Sequence, residues 1–192
     1  MPFVTVDRLR SRPARFVGTV KEAARHLLRK RDGLHVSLFI SHSHHDRPLV
    51  EDIAKYLATF DVDVYVDWLD KDMLATTSFE TAARLRSKIR SNQKFLLAAS
   101  EHSLDSVWVP WELGYADGVK GESGNLIAAL PLTAIDTERW SGNEYVGLYP
   151  QIRVVNGEDV VCKPGSSTGI LLGRWLYEDT LSDRAERLSD DW

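Results

Sequence analysis

Short apolar segments alternate with amphipathic segments along most of the chain. Four apolar runs, at 36–40, 62–66, 95–99 and 126–130, have the length and composition of buried β-strands. Between them, apolar residues recur at helical spacing over 47–57, 78–90 and 109–119. Strands that alternate with helices in this way indicate βαβ units, and therefore a parallel sheet with helices on both faces.

Capping signals predict where several helices begin. Asp46, followed by Pro48, is typical of a helix start. Thr19 and Thr77 each stand three residues before a glutamate, which is the spacing of a capping box. The first of these boxes predicts a basic, amphipathic helix that ends at Gly33.

The pattern is less regular after residue 131. The Asn156-Gly157 pair between two apolar runs predicts a hairpin over 152–162. Apolar residues at helical spacing predict a final amphipathic helix over 167–181.

Composition narrows the class of protein. A chain of 192 residues, 43% hydrophobic and 27% charged, fits one globular domain with an appended arm rather than a disordered or fibrous protein. A single cysteine, Cys162, excludes an intramolecular disulfide and predicts a reducing compartment, so we expect the cytoplasm. No apolar run approaches the roughly 20 residues that span a bilayer, and the arginine-rich N-terminus lacks the apolar core of a secretory signal.

Charge is distributed unevenly along the chain. The net charge of −4 excludes a wholly basic nucleic-acid binder. Residues 1–33 carry nine basic and three acidic side chains, a net charge of +6, which leaves −10 for the rest. This arm could bind an anionic partner, but docking on the acidic body or on a neighbouring subunit is the interpretation we favour. We therefore divide the chain into a basic arm with a helix (1–33), a main domain (34–181) and an acidic tail (182–192).

The carboxyl ends of the predicted strands locate a candidate site. In open parallel sheets ligands bind beyond these ends, which places 41–46, 67–72 and 100–111 around one crevice. His42, His44 and His45 are too closely spaced for one helix face, and no second group of ligands is evident in the sequence. The sequence therefore predicts a polar loop there and no metal site. The glycine-rich phosphate loops and the serine-nucleophile elbow are also missing.

Glu112 is the strongest candidate for a chemical role. Pro110 favours the first turn of a helix, so Glu112 lies near a helix N-terminus at the crevice, where the helix dipole favours a carboxylate. Such a glutamate could merely complement the dipole. The adjacent Trp108 and Trp111 could form apolar walls around a carboxylate that stabilises a cationic centre, or they could belong to the core.

Several segments together resemble a known family. The run FISHSHHD at 39–46, VDVYVD at 62–67, and LLAAS at 96–100 followed by LDSVWVPWEL at 104–113 resemble the TIR (Toll/interleukin-1 receptor) domains. The likeness covers roughly 35–132 and is greatest to the bacterial NAD+-cleaving type found in stand-alone proteins of anti-phage defence. It implies an α/β, flavodoxin-like three-layer fold, with a central parallel sheet of about five strands flanked by helices and here preceded by the helical arm.

The resemblance also implies an activity. TIR domains of this kind cleave NAD+ between nicotinamide and ribose, giving ADP-ribose or a cyclic ADP-ribose isomer. NAD+ is then a substrate, and no cofactor is expected. Glu112 aligns with the family's catalytic glutamate. Substrate-binding roles carry over to residues that follow the strands or flank Glu112: Ser41, His42, Ser43, Asp46, Asp67, Trp68 and Trp111.

Two other functions remain open. The segment WELGYADG at 111–118 is similar to the glutamate signature of nucleoside deoxyribosyltransferases, which also act on N-glycosidic bonds. Many TIR domains, in contrast, are adaptors without catalysis that act by homotypic assembly. The resemblance further implies a homo-oligomer or TIR–TIR assembly, and a downstream effector that senses the nucleotide product. We expect no membrane and no nucleic acid among the partners.

Overall fold

A computed structural model describes residues 2–11, 36–70, 78–121, 125–133, 142, 144–166 and 168–177. The strands are β1 (Val4–Thr5), β2 (Val36–Ser41), β3 (Val62–Tyr65), β4 (Lys94–Ala99), β5 (Ile127–Thr133), β6 (Gln151–Val155), β7 (Glu158–Cys162) and β8 (Gly169–Leu171). The helices are α1 (Val6–Ser11), α2 (Arg47–Ala58), α3 (Phe79–Ser91), α4 (Glu101–Leu104), α5 (Trp108–Lys120) and α6 (172–177). Short 3-10 helices span His44–Asp46, Asp67–Leu69 and Glu144–Leu148.

All the strands join one sheet in the order β3-β2-β4-β5-β6-β7-β8, with β1 also paired to β5. The pairs from β3 through β6 are parallel, and this confirms the predicted parallel sheet of about five strands. The sheet is larger than predicted, because β7 and β8 extend it in antiparallel orientation and β1 adds a further parallel pair.

The sheet separates two apolar layers, because successive side chains in a strand point to opposite faces. Leu38 and Ile40 of β2 pack with α2, whereas Phe39 between them packs with α3 and α5. The same alternation in β4 and β5 produces a core on each side of the sheet. This arrangement confirms the three-layer, flavodoxin-like α/β fold.

The predicted hairpin is confirmed. β6 and β7 pair in antiparallel register from Gln151 opposite Cys162 to Val155 opposite Glu158. Asn156 and Gly157 form the turn with φ angles of 50° and 84°, which is the left-handed backbone that this residue pair tolerates best.

Two local predictions were wrong. The segment predicted as a helix from residue 167 instead forms β8, and only then α6; residues 178–181 lie outside the described parts of the chain. Gly169 permits this strand, because a Cβ there would lie 2.2 Å from the Val161 carbonyl oxygen of β7. The N-cap of α3 is Ser78 rather than Thr77, since the Ser78 hydroxyl accepts a hydrogen bond from the Thr81 backbone N–H.

The first described residues of the chain pack into the core of the fold. Phe3, Val4 and Leu9 are buried, and Val4 pairs with Leu132 of β5. Arg8 forms an ion pair with Asp159 (3.1 Å) and a hydrogen bond to the Gly157 carbonyl oxygen, and Arg10 pairs with Asp52 (2.9 Å). The predicted helix at 19–33, the 33/34 and 181/182 boundaries and the acidic tail lie outside the described residues, so that division of the chain stays a prediction.

We expect Leu9→Ala to lower the free energy of unfolding by about 2–5 kcal/mol, the usual cost of truncating a buried leucine. Leu9 is 4% exposed and belongs to the apolar layer that α2 covers. Thermal or urea unfolding followed by circular dichroism measures the effect. Arg10→Ala is the matched control on the same helix, and its melting temperature should stay close to that of the unsubstituted protein. Equal effects of the two substitutions would show that α1 does not dock as described.

None of the helices in the described parts of the chain is long and apolar enough to cross a lipid bilayer.

Candidate active site

The candidate site lies where β2 and β4 end and α5 begins. Ser41, the last residue of β2, points to the same face as Phe39, because the two are separated by one residue in a strand. That face is covered by α5, and Glu112 lies in its second turn. The alternation along β2 therefore directs the Ser41 hydroxyl toward the Glu112 carboxyl group.

Glu112 is a buried carboxyl group bound by one hydroxyl. Only 5% of the residue is exposed, and the Ser41 Oγ donates a hydrogen bond of 2.5 Å to its Oε2. Burial raises the pKa of Glu112 to about 8. The Ser41 hydrogen bond and the charge of His42 oppose this shift, whereas the negative charge of Asp67 adds to it. The carboxyl group therefore titrates close to neutral pH, as a group that moves a proton in a reaction must.

His42 and Asp67 form a largely buried acid–base pair beside this carboxyl group. The His42 Nδ1 lies 3.0 Å from the Ile40 carbonyl oxygen, which can only accept, so Nδ1 carries a hydrogen. The Nε2 lies 3.3 Å from Asp67 Oδ1. Burial lowers the pKa of His42, but the attraction of Asp67 outweighs it, and the net shift is upward. Burial likewise raises the pKa of Asp67, but His42 outweighs it, and the net shift is downward.

Trp68 and Asp46 have partners that hold the surrounding loops. The Trp68 ring meets the His42 ring edge to face at 4.5 Å, and the Arg47 guanidinium lies 5.6 Å from its centre. Asp46 is buried before α2 and accepts a hydrogen bond from the Ser100 hydroxyl. This bond joins the loop after β2 to the loop after β4, so both loops lie at the same edge of the sheet.

A cavity of about 880 Å³ opens at the carboxyl edge of the sheet. It is bounded by the loop after β2, the first turns of α3, and the segment from α4 to the start of α5. The lining residues are Ser43, His44, His45, Ser78, Ala82, Arg86, His102, Asp105, Ser106, Val107, Trp108 and Trp111.

The cavity combines hydrogen-bond donors with an aromatic wall. Among the described residues that line it, Arg86 is cationic, three histidines offer ring N–H groups, and Asp105 is the one carboxylate. The Trp111 ring stacks on Tyr115 at 6.0 Å and meets Trp108 edge to face at 5.3 Å, which fixes its orientation. Glu112 follows Trp111 directly in α5; its carboxyl group faces Ser41 and is not among the described side chains that line the cavity. The arrangement fits a ligand with both anionic and planar aromatic parts.

The structure brings together four of the eight residues that the sequence suggested. Ser41, His42, Asp67 and Glu112 interact with one another at the strand ends. Ser43 and Trp111 line the cavity, whereas Asp46 and Trp68 do not. The substrate-binding role of these residues stays a prediction.

Arg86, His45 and His102 also line the cavity but were not among the site residues predicted from the sequence. Arg86 lies in a helix with three other cationic residues, and periodicity alone does not tell which of them faces a cavity. His102 lies within the segment that strand order placed at the crevice, so the strand-end rule could have identified it.

One cluster at the site has the chemistry of a metal centre. A ring nitrogen of His42, one of His44 and a carboxylate oxygen of Asp67 all lie within 4.8 Å of one another.

Comparison with known proteins gives three concordant matches, one family model and two relatives. The family model described as a TIR domain matches residues 38–150. The chain is 38% identical over 150 residues to a Bacillus cereus (strain MSX-D12) protein named as a probable 3′ cyclic ADP-D-ribose synthase, ThsB′, with 74% of this chain and 76% of that relative covered. It is 32% identical over 82 residues to TIR2 of Cytobacillus dafuensis, named as a candidate cyclic ADP-D-ribose synthase. That match covers 41% of this chain and 22% of the relative.

Proposed function

Since this chain belongs to the TIR domain family, we propose that it is an enzyme that cleaves NAD+ and closes the remainder into a cyclic ADP-ribose isomer. The observation that carries the proposal is the buried Glu112 carboxyl group, held by Ser41 at the edge of the sheet where an 880 Å³ cavity lined by Arg86, histidines and Trp111 opens. The names of both relatives specify a cyclic product, and that of the Bacillus cereus relative a 3′ linkage, so we propose a ribose hydroxyl rather than water as the attacking group.

The chemistry requires one carboxylate. Glycosidases that act on sugars use a second carboxyl group to protonate the leaving oxygen. In NAD+ the nicotinamide nitrogen is already cationic, so it takes the bonding electron pair and leaves as a neutral molecule. A carboxylate at Glu112 stabilises the positive charge that develops on the ribose. Its pKa of about 8 also suits it to accept the proton that the attacking hydroxyl loses.

The cavity accounts for binding of the rest of NAD+. Arg86 can bind the pyrophosphate in a bidentate manner, with His45 and His102 as further donors. Trp111 offers an aromatic face to nicotinamide or adenine. We therefore propose that the nicotinamide–ribose bond lies at the side of the cavity formed by Trp111, the neighbour of Glu112 in α5.

We expect Arg86→Ala to raise the KM for NAD+ about 10- to 100-fold, because it removes charge-assisted hydrogen bonds to phosphate. Its effect on kcat should be smaller, since Arg86 is not assigned to the reacting bond. Initial rates of nicotinamide release at varied NAD+ concentrations separate the two parameters. Arg84→Ala, an exposed position on the same helix, is the matched control. A similar KM in both variants would place the pyrophosphate elsewhere.

Cyclic ADP-ribose isomers are small diffusible nucleotides. We propose that the product acts as a signal in anti-phage defence in the cytoplasm, where it is sensed by a downstream effector. We also propose that the protein acts as a homo-oligomer or TIR–TIR assembly. The exposed apolar side chains of Phe79 and Val107, close to the cavity mouth, are suited to such contacts.

Chromatography of incubations with NAD+ tests the activity directly. We expect nicotinamide and a cyclic nucleotide in equal amounts, either in the resting protein or after a crowding agent promotes assembly. Parallel incubations with deoxynucleosides and free bases test the deoxyribosyltransferase alternative. An assembled protein that releases neither nicotinamide nor a free base would support the adaptor alternative instead.

A further inference from the structure

The His42 imidazole is oriented as metal-ligating imidazoles commonly are. Its side chain is 3% exposed, and Nδ1 donates to the Ile40 carbonyl oxygen. A hydrogen on Nδ1 leaves a lone pair on Nε2 in the neutral ring, and this same backbone contact fixes the tautomer of many metal ligands. Among the described residues the buried Nε2 has no hydrogen-bond partner of acceptable geometry, although Asp67 Oδ1 lies 3.3 Å away.

Two further donors converge on this nitrogen from separate loops. His44 follows in the loop after β2, and Asp67 begins the loop after β3; the three ligand atoms lie within 4.8 Å of one another. Zn²⁺ bonds of about 2.0–2.2 Å place tetrahedral ligand atoms roughly 3.3 Å apart, so closure requires only a small adjustment. The exposed His44 ring meets the His42 ring edge to face at 6.4 Å, and the Trp68 backbone N–H holds Asp67 Oδ1 at 2.7 Å.

We propose that His42, His44 and Asp67 bind one divalent transition-metal ion of the zinc class. Two imidazoles and one carboxylate, with a fourth position left to water, form a donor set that Zn²⁺ and Co²⁺ accept. The sequence predicted no metal site because the three histidines lacked a second group of ligands. Asp67, more than twenty residues further along the chain, supplies it.

Occupation of this site opposes NAD+ cleavage, a consequence that rests on the proposed function. The ion takes the place of the His42 Nε2 proton, so the net positive charge beside the Ser41–Glu112 hydrogen bond increases. The reaction develops positive charge on the ribose, and a neighbouring dication raises the energy of that transition state. The ion also links the loop after β2, through His42 and His44, to the loop after β3, through Asp67.

Cobalt binding to the full-length, tag-free protein tests the site without any substrate. Titration with Co²⁺ should give visible absorption bands of a four-coordinate complex that saturate at one ion per chain, and Zn²⁺ should displace them. His44→Ala should weaken binding at least about 100-fold, because loss of a supporting group alone costs 10- to 100-fold. His45→Ala, the neighbouring histidine outside the cluster, should leave the affinity unchanged.

Two results would overturn the site. One is the absence of stoichiometric binding by the unsubstituted protein. The other is loss of binding in His45→Ala but not in His44→Ala, which would assign the ion to His45 and His102, whose rings lie 5.7 Å apart. Asp67→Asn should also weaken binding, and circular dichroism of each variant verifies that it is folded.

Inhibition is measured separately, as the rate of nicotinamide release with and without Zn²⁺. We expect at least a tenfold loss in the unsubstituted protein and none in His44→Ala, each compared with its own metal-free rate. Binding of Zn²⁺ without inhibition would overturn the inhibitory effect but not the site. Absence of any NAD+ cleavage would overturn the proposed function and leave the cobalt result intact.

Discussion

Glutamine in place of Glu112 is expected to reduce nicotinamide release from NAD+ by at least about 1,000-fold. Loss of a single, well-placed electrostatic group costs up to about that factor in enzymes, and here the same group also accepts the proton. Glutamine retains the size of the side chain and can accept the Ser41 hydrogen bond. The measurement is nicotinamide release by chromatography under the conditions that give the highest rate. Glu51→Gln, an exposed position on α2, is the matched control.

The stability of the same variant verifies that only the chemistry is lost. Burial raises the pKa of Glu112 from 4.5 to about 8, so the folded protein holds this proton more tightly than the unfolded chain does. The stability gained from the neutral form is complete below pH 4.5 and is lost as the pH rises through about 8. Glutamine does not ionise, so the Glu112→Gln variant does not lose this stability. The difference between its melting temperature and that of the unsubstituted protein should therefore increase between pH 5 and 8. Cleavage by a folded Glu112→Gln at a rate comparable to Glu51→Gln would refute the catalytic role.

The pH dependence of NAD+ cleavage is the second large effect. If the reaction needs the Glu112 carboxylate, kcat/KM should rise about tenfold for each pH unit up to about 8 and then level off. His42 and Asp67 also face this carboxyl group; each stabilises the charged form of the other, which raises the pKa of His42 and lowers that of Asp67. Initial rates from pH 5.5 to 9, corrected for NAD+ breakdown without enzyme, give the profile.

Ser41→Ala should move this profile to higher pH. The Ser41 hydroxyl donates to the carboxylate and lowers the pKa of Glu112, so its removal raises that pKa further. Activity at pH 7 should fall, and part of the loss should be recovered at pH 9. Ser41→Thr retains the hydroxyl and is the control. A rate that is flat from pH 6 to 9 in the unsubstituted protein would show that burial does not govern this carboxyl group during catalysis.

Local patterns were sufficient for most of the central sheet. The four apolar runs became β2 to β5 within a few residues, because a strand buried on both faces needs a short, continuous apolar segment. Asn156-Gly157 produced its hairpin for an equally local reason, namely the left-handed backbone that these residues accept.

Where the predictions failed, distant contacts outweighed local periodicity. The segment after residue 167 has helical spacing, yet Gly169 lets it approach β7 closely enough to pair as β8. β1 consists of two residues, Val4 and Thr5, and carries no strand signal of its own. It forms because β5 offers an open edge beside Leu132 and Thr133.

In the candidate site, too, some features follow from local sequence and others depend on tertiary packing. The sequence by itself determined that Glu112 lies near the start of a helix at the carboxyl edge of the sheet, since strand order, the proline in the first turn and the helix dipole are all local or topological features. Only the tertiary structure decided that Ser41 bonds to it, that Asp67 meets His42 and His44, and that Arg86 faces the cavity. These contacts depend on which side of a strand or helix each residue occupies after packing. The pKa of Glu112 depends on burial, and no single segment of a chain determines how deeply the others will cover it.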